Sequence, residues 1–194
     1  MHAADIKMKP IIKEGVRILR PFEAKLLIEK GIPPFKNQFK YQLLFKSLLF
    51  SGTRYAECKR LKDNPEWFDG DFILLFSTKI KATQKERWVR LTPRGKEIIQ
   101  QYLKSDFKLP HNITWNENLK RWAKDAGLDE PEGISAKTTR KTWESWLAFY
   151  YPVQHLNIVQ SQGHNRTTAV KHYLNMPFTD DDKFQMKEFV EGWI

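Results

Sequence analysis

Gly163-His164, with Tyr173 nine residues beyond the histidine, is the stretch best equipped for chemistry, because it sets an imidazole close to a phenol. Gly163 reads as the stop of one helix and Thr167 or Thr168 as the cap of the next. His164 then sits on a tight turn and Tyr173 near the far end of a helix of about two turns, where the ring can return beside the imidazole. Two cationic sites could complete such a cleft. Arg54 falls at a helix start directly after a buried helix, where a guanidinium and free backbone N–H groups meet an anion together. Lys137 and Arg140, three apart in a helical first turn, project on one side and repel unless an anion lies between them. Phosphate suits that arrangement. Plainer readings stand beside each: Tyr173 as an amphipathic packing residue, His164 as a partner of a helix C-terminus, and Arg54 paired with Glu57 on a helix surface.

The elements that must carry these groups follow from period and punctuation. Pro21 to Lys30 reads as a helix closed by Gly31, and Asn37 to Phe50 as a strongly apolar one with Phe39, Leu43, Leu44, Phe45, Leu48, Leu49 and Phe50. Ser51-Gly52 ends it, and Thr53 can cap the short helix that bears Arg54, Tyr55, Glu57, Cys58 and Leu61. Phe72 to Phe76 and the alternating Arg87 to Leu91 predict a small antiparallel sheet, with Asp69-Gly70-Asp71 as one turn and the lysine-rich Lys79 to Glu86 as another. Those lysines can reach into a groove or simply keep a sheet edge solvated. Further helices run from Pro93 to Leu103, from Trp115 to Ala126, and from Lys137 through Trp143, Trp146, Leu147 and Tyr150; His111 lies in the loop from Lys108 to Thr114. Thr179-Asp180-Asp181-Asp182 opens a last helix with Phe184, Phe189, Val190, Trp193 and Ile194 on its apolar side. That helix can close its own domain or be exchanged with a neighbouring copy.

Composition bounds the rest. A chain of 194 residues, 41% hydrophobic with seven Trp and thirteen Phe, can bury a core of its own. Residues 1–20 lack caps or period and read as an arm or linker, which leaves 21–194 as one folded domain. No apolar run of membrane-spanning length occurs, and the early lysines and arginines interrupt any signal-like stretch, so an intracellular protein with no membrane partner is expected. The single cysteine, Cys58, excludes an internal disulfide and any multi-cysteine zinc site. A formal charge of +10 points to a polyanionic partner, nucleic acid first.

Ser51-Gly52-Thr53-Arg54-Tyr55-Ala56-Glu57, the basic hairpin, Lys137-Thr138-Thr139-Arg140 and Gly163-His164 followed by Tyr173 stand in an order that resembles the catalytic domain of the tyrosine recombinases, or phage-type integrases. The likeness covers roughly residues 21–194. Lysine at 137 departs from the histidine usual in that box and is similar to archaeal and archaeal-virus members, hence to a virus or mobile element. The helical domain that usually precedes the catalytic one has no counterpart here. The resemblance implies an α+β, mainly α fold with a small antiparallel three-stranded sheet around the site.

It also implies roles. Tyr173 would be the nucleophile on a DNA phosphodiester, forming a 3'-phosphotyrosyl link; Arg54 and Arg140 would hold the non-bridging oxygens. Lys81, with Lys85 and Lys79 as alternatives, would protonate the leaving 5' oxygen, while Lys137 and His164 assist. No cofactor and no metal is implied. The partners would be double-stranded DNA and other protomers of the same protein on it, through the C-terminal helix 180–194, in the DNA-associated cytoplasm of a host cell. Three other readings stay open: a type IB topoisomerase-like nicking-closing enzyme, a DNA-binding module whose site has decayed, and a basic helical protein that binds RNA or an acidic partner.

Overall fold

The structure is a computed structural model and describes residues 8–35, 39–78, 85–164 and 176–194. Ile11–Lys13 (β1) and Val16–Ile18 (β2) form an antiparallel hairpin, Ile11 opposite Ile18, turned at Glu14-Gly15 with both residues at positive φ, as a two-residue hairpin with right-handed twist requires. Pro21–Leu26 (α1) follows and runs on into a π-helical turn, Leu27–Gly31. The segment expected as an arm therefore packs from Ile11 onward. Arg17 is fully buried in an ion pair with Glu23, and the Leu19 backbone both donates to Thr142 Oγ1 at 3.0 Å and accepts from Trp146 Nε1 at 2.9 Å. Sequence alone hid this, because a hairpin with strands of three residues has too few positions to show a period.

Phe39–Ser51 (α2) is apolar on most sides and buried accordingly, packed against Pro93–Lys104 (α4) and Ala136–Tyr150 (α6). The Asn37 expected as its start lies outside the described residues. Tyr55–Asp63 (α3) is capped by Arg54 and Glu57 rather than by Thr53: the Arg54 backbone N–H donates to Glu57 Oε2 at 2.8 Å. Thr53 instead bonds Ser51 Oγ at 2.8 Å. Phe72–Phe76 (β3) pairs antiparallel with Glu86–Arg90 (β4), Ile73 opposite Val89 and Phe76 opposite Glu86, within one residue of the expected strand bounds. Asp69 Oδ1 accepts the N–H groups of Asp71 and Phe72 and so makes the expected turn. Among the described residues this sheet has two strands plus one bridge, Phe68 to Ile73, where three strands were expected.

Asn112–Asp125 (α5) begins a turn earlier than its apolar period suggests because His111 Nδ1 accepts the Ile113 N–H. Ser135 caps α6, and Gly163, at φ 67°, ends His155–Gln162 (α7) as the glycine had indicated. Asp180–Val190 (α8) is capped by Thr179, whose Oγ1 accepts the Asp182 N–H at 3.1 Å. It seats Met186, Phe189 and Val190 on α1 and α6 of its own chain, with the Phe189 ring 4.8 Å from Trp146 and 5.7 Å from Phe50. Phe184, expected on that apolar side, points outward and is 78% exposed.

The main core joins α1–α8 around Trp115, Trp143, Trp146 and Trp193; a smaller one, with Leu61, Ile73, Leu75, Val89, Leu91 and Ile99, lies under the sheet. Among the described residues no helix is long and apolar enough to cross a membrane.

Candidate active site

The ends of α2 and α7 meet the start of α6, and each meeting leaves last-turn carbonyls in need of donors. Arg140, on the second turn of α6, supplies them. Its Nη1 donates to the Gly52 carbonyl at 2.9 Å and its Nη2 to that of Gln162, while Nε faces Glu144 Oε1 at 3.0 Å, one turn further along the same helix. Gly52 is required here: its φ is 62°, and a Cβ would stand 2.6 Å from both Trp143 Cδ1 and Gln162 Oε1. Arg140 is thus buried and held on several sides by its own chain. A cation at a helix C-terminus also suits the helix dipole.

His164 follows the glycine that stops α7. Its Nε2 lies 2.8 Å from Glu144 Oε1 and 3.1 Å from Arg140 Nη2, so Glu144 bridges the imidazole and the guanidinium. A proton on Nε2 serves the carboxylate; a lone pair there serves the arginine.

Arg54 reaches the same group through Glu57. Its Nη1 donates to Glu57 Oε1 at 2.8 Å, while Glu57 Oε2 takes Arg87 Nη2 at 2.6 Å and lies 4.0 Å from Arg140 Nη1. Burial alone would raise the Glu57 carboxyl; the charges of Arg87 and Arg140 and the Arg54 N–H outweigh it and hold the group at about 2. Burial disfavours the charged forms of Arg87 and Arg140, against which Glu57 and Glu144 respectively pull the other way. The expected pairing of Arg54 with Glu57 is present, yet the Arg54 side chain stays 52% exposed, so one guanidinium of the cluster faces outward while Arg140 is enclosed.

The structure thus gathers Arg54, Arg140 and His164 from three separate stretches. Lys137 is exposed on the first turn of α6, while Arg140 has its own carboxylate partner in Glu144. Lys85, also exposed, stands just before β4. Lys79, Lys81 and Tyr173 lie outside the described residues, as do Thr167 and Thr168.

Arg87 and Glu144 were missed as site residues, and Glu57 was seen only as a surface partner of Arg54. Glu144 was within reach of sequence reasoning, four residues after Arg140 on one helix face. Arg87 was not: it shares a strand face with Val89 and Leu91, but nothing near it in the chain announces the distant carboxylate and carbonyl that it serves. Among the described residues no group of three or more His, Cys, Asp or Glu side chains comes together that could hold a metal ion.

No protein-family model and no curated protein sequence matches the chain. Solved structures do. XerA recombinase superposes at a TM-score of 0.63 and 19% identity, over 93% of this chain and 66% of its own. The Tn1549 transposon integrase in complex with transposon right end DNA gives 0.61 and 19%, over 95% and 67%. The XerH site-specific recombinase bound to palindromic difH substrate, a post-cleavage complex, gives 0.58 and 20%, over 93% and 54%. The chain spans 54% to 67% of the length of these proteins. At such identities the likeness is one of fold: mainly helical with small antiparallel sheets, the fold of the tyrosine recombinase catalytic domain.

Proposed function

We propose that the chain is the catalytic part of a site-specific recombinase or integrase of the tyrosine class, which breaks and rejoins DNA through a 3'-phosphotyrosyl intermediate on Tyr173. The observation that carries this reading is the arginine cluster: Arg54 and Arg140, with His164, gathered around Glu57 and Glu144 on a fold shared with recombinases. The exposed half of Arg54 and the neighbouring Arg140 would hold the non-bridging oxygens and stabilise the charge that develops in transfer.

In the proposed step the Tyr173 oxygen attacks phosphorus and the phosphorus–O5' bond breaks. The phenol passes its proton to the His164 imidazole or to water as it attacks, and the departing 5' oxygen takes one from a hairpin lysine, Lys81 or in its place Lys85 or Lys79. Phenols titrate near about 10, and neighbouring cations favour the phenolate. Lys137 and His164 assist at the phosphoryl group. The released 5' hydroxyl then attacks the phosphotyrosyl bond of another strand, which frees Tyr173 and restores a phosphodiester without ATP.

Double-stranded DNA is the proposed partner, in keeping with the charge of +10. Other protomers on the DNA would meet residues 180–194 through the exposed Phe184 of α8 and Ile194 beyond its end.

The test is a denaturing gel of this protein with a nicked suicide duplex whose labelled strand carries the scissile phosphate, without divalent metal. A labelled protein–DNA band that Tyr173→Phe removes is expected. A band that survives Tyr173→Phe would refute the nucleophile assignment.

A further inference from the structure

Arg87 belongs to none of the groups that the proposed chemistry uses, yet it ties together elements that carry them. It lies on β4, directly after the lysine-bearing hairpin, and is 7% exposed. Its Nη2 donates to Glu57 Oε2 at 2.6 Å and its Nη1 to the Ser161 carbonyl at 2.8 Å, in the last turn of α7. The backbone at Gly163 passes so close that a Cβ there would stand 2.6 Å from Arg87 Cδ. One guanidinium therefore ties the hairpin strand, the carboxylate that aligns Arg54, and the helix end that leads into His164.

Its charge has a second consequence. Among the described residues of the cluster, Arg54, Arg87 and Arg140 face the carboxylates Glu57 and Glu144, one positive charge in excess before His164 is counted. Without Arg87 the cluster would be neutral, and Glu57 Oε2 would keep the Arg54 backbone N–H at 2.8 Å and have Arg140, now 4.0 Å away, as its nearest remaining cation apart from Arg54. A carboxylate turned toward Arg140 competes with any phosphate for it.

We infer that Arg87 is a positioning residue: by occupying Glu57 Oε2 and the Ser161 carbonyl it keeps the positive potential of Arg54 and Arg140 available to an incoming phosphate, and it fixes the hairpin against α7. This rests on the proposed function for the identity of the phosphate as DNA, but not for the anion site itself.

The test compares wild type, Arg87→Met and Arg87→Lys by titration with inorganic phosphate, followed through the His164 imidazole resonances, and by the rate of covalent complex formation on the nicked duplex. Arg87→Met should weaken phosphate by about tenfold, the size expected for one charge removed at this range in a partly buried site. It should slow cleavage by at least as much while duplex affinity changes by less than about threefold, since the loss falls on the reacting phosphate rather than on the many backbone contacts. Arg87→Lys, which keeps the charge but cannot span both acceptors, should retain phosphate binding and still cleave slowly. Unchanged phosphate affinity in Arg87→Met overturns the inference. Should Arg87→Met not fold, a loss of phosphate affinity of about tenfold relative to wild type in Arg87→Lys overturns it instead. If wild type bound phosphate but formed no covalent complex, the proposed function would fail while the phosphate titration still decided the role of Arg87.

Discussion

Glu57 shows how a residue that reads as ordinary in sequence becomes central once neighbours arrive from elsewhere in the chain. Its Oε1 serves Arg54 and its Oε2 serves Arg87, and its backbone partner Arg54 starts α3. The carboxyl is held at about 2, below an unfolded value near 4.5, so it contributes stability that is complete above about pH 4.5 and lost as pH falls toward 2. The difference corresponds to on the order of 3 kcal/mol for a mostly buried group. Glu57→Gln should therefore lower the urea midpoint clearly at pH 7 and much less at pH 3; equal loss at both would show that its charge contributes nothing. At this scale the sequence was informative where a role follows from neighbours along the chain, as for Arg54 beside Glu57; Glu144, four residues after Arg140, was legible in the same way but was missed. It was silent where the partner is distant, as for Arg87 and the Ser161 carbonyl.

Helix ends, more than helix faces, build the candidate site. α2 stops at Ser51, α7 at Gly163, and their last carbonyls receive Arg140 and Arg87. Gly163 does two jobs, since it holds φ at 67° and leaves room for Arg87 Cδ. Gly127, at φ 74° with open space where a Cβ would go, does only the first. Gly127→Ala should cost about 1 kcal/mol from backbone strain alone. Gly163→Ala should cost more and should also displace Arg87, visible as a slower cleavage rate. Equal melting shifts for the two would contradict the crowding at Gly163. Most helices and the β3–β4 pairing could be read from period and caps. The start of α5 could not, because a histidine is an uncommon cap, and the β1–β2 hairpin was too short to announce itself.

For the whole molecule, the two ends of the described chain close the fold together. Arg20, just after β2, pairs with buried Asp182 of α8, its Nη2 donates to the Pro177 carbonyl at 3.1 Å, and Trp193 Nε1 donates to the Arg90 carbonyl at 3.1 Å. A chain begun at Pro21 would lose Arg17 and Arg20 and leave Glu23 and Asp182 as buried carboxylates without those partners, a loss typically of 3–5 kcal/mol, roughly, for each broken pair. Such a chain should show no cooperative melt; a normal melt from it would restore the arm expected for residues 1–20. The sequence could not reveal this closure, because a pairing between the two ends of a chain leaves no periodic trace in either. The central claim concerns the residue that joins DNA, and peptide mapping by mass spectrometry of the protein trapped on a nicked suicide duplex tests it most directly. The account predicts a nucleotide-phosphate adduct on the peptide that contains Tyr173 and on no other. An adduct on a different residue, or protein that binds the duplex and carries none, would contradict it.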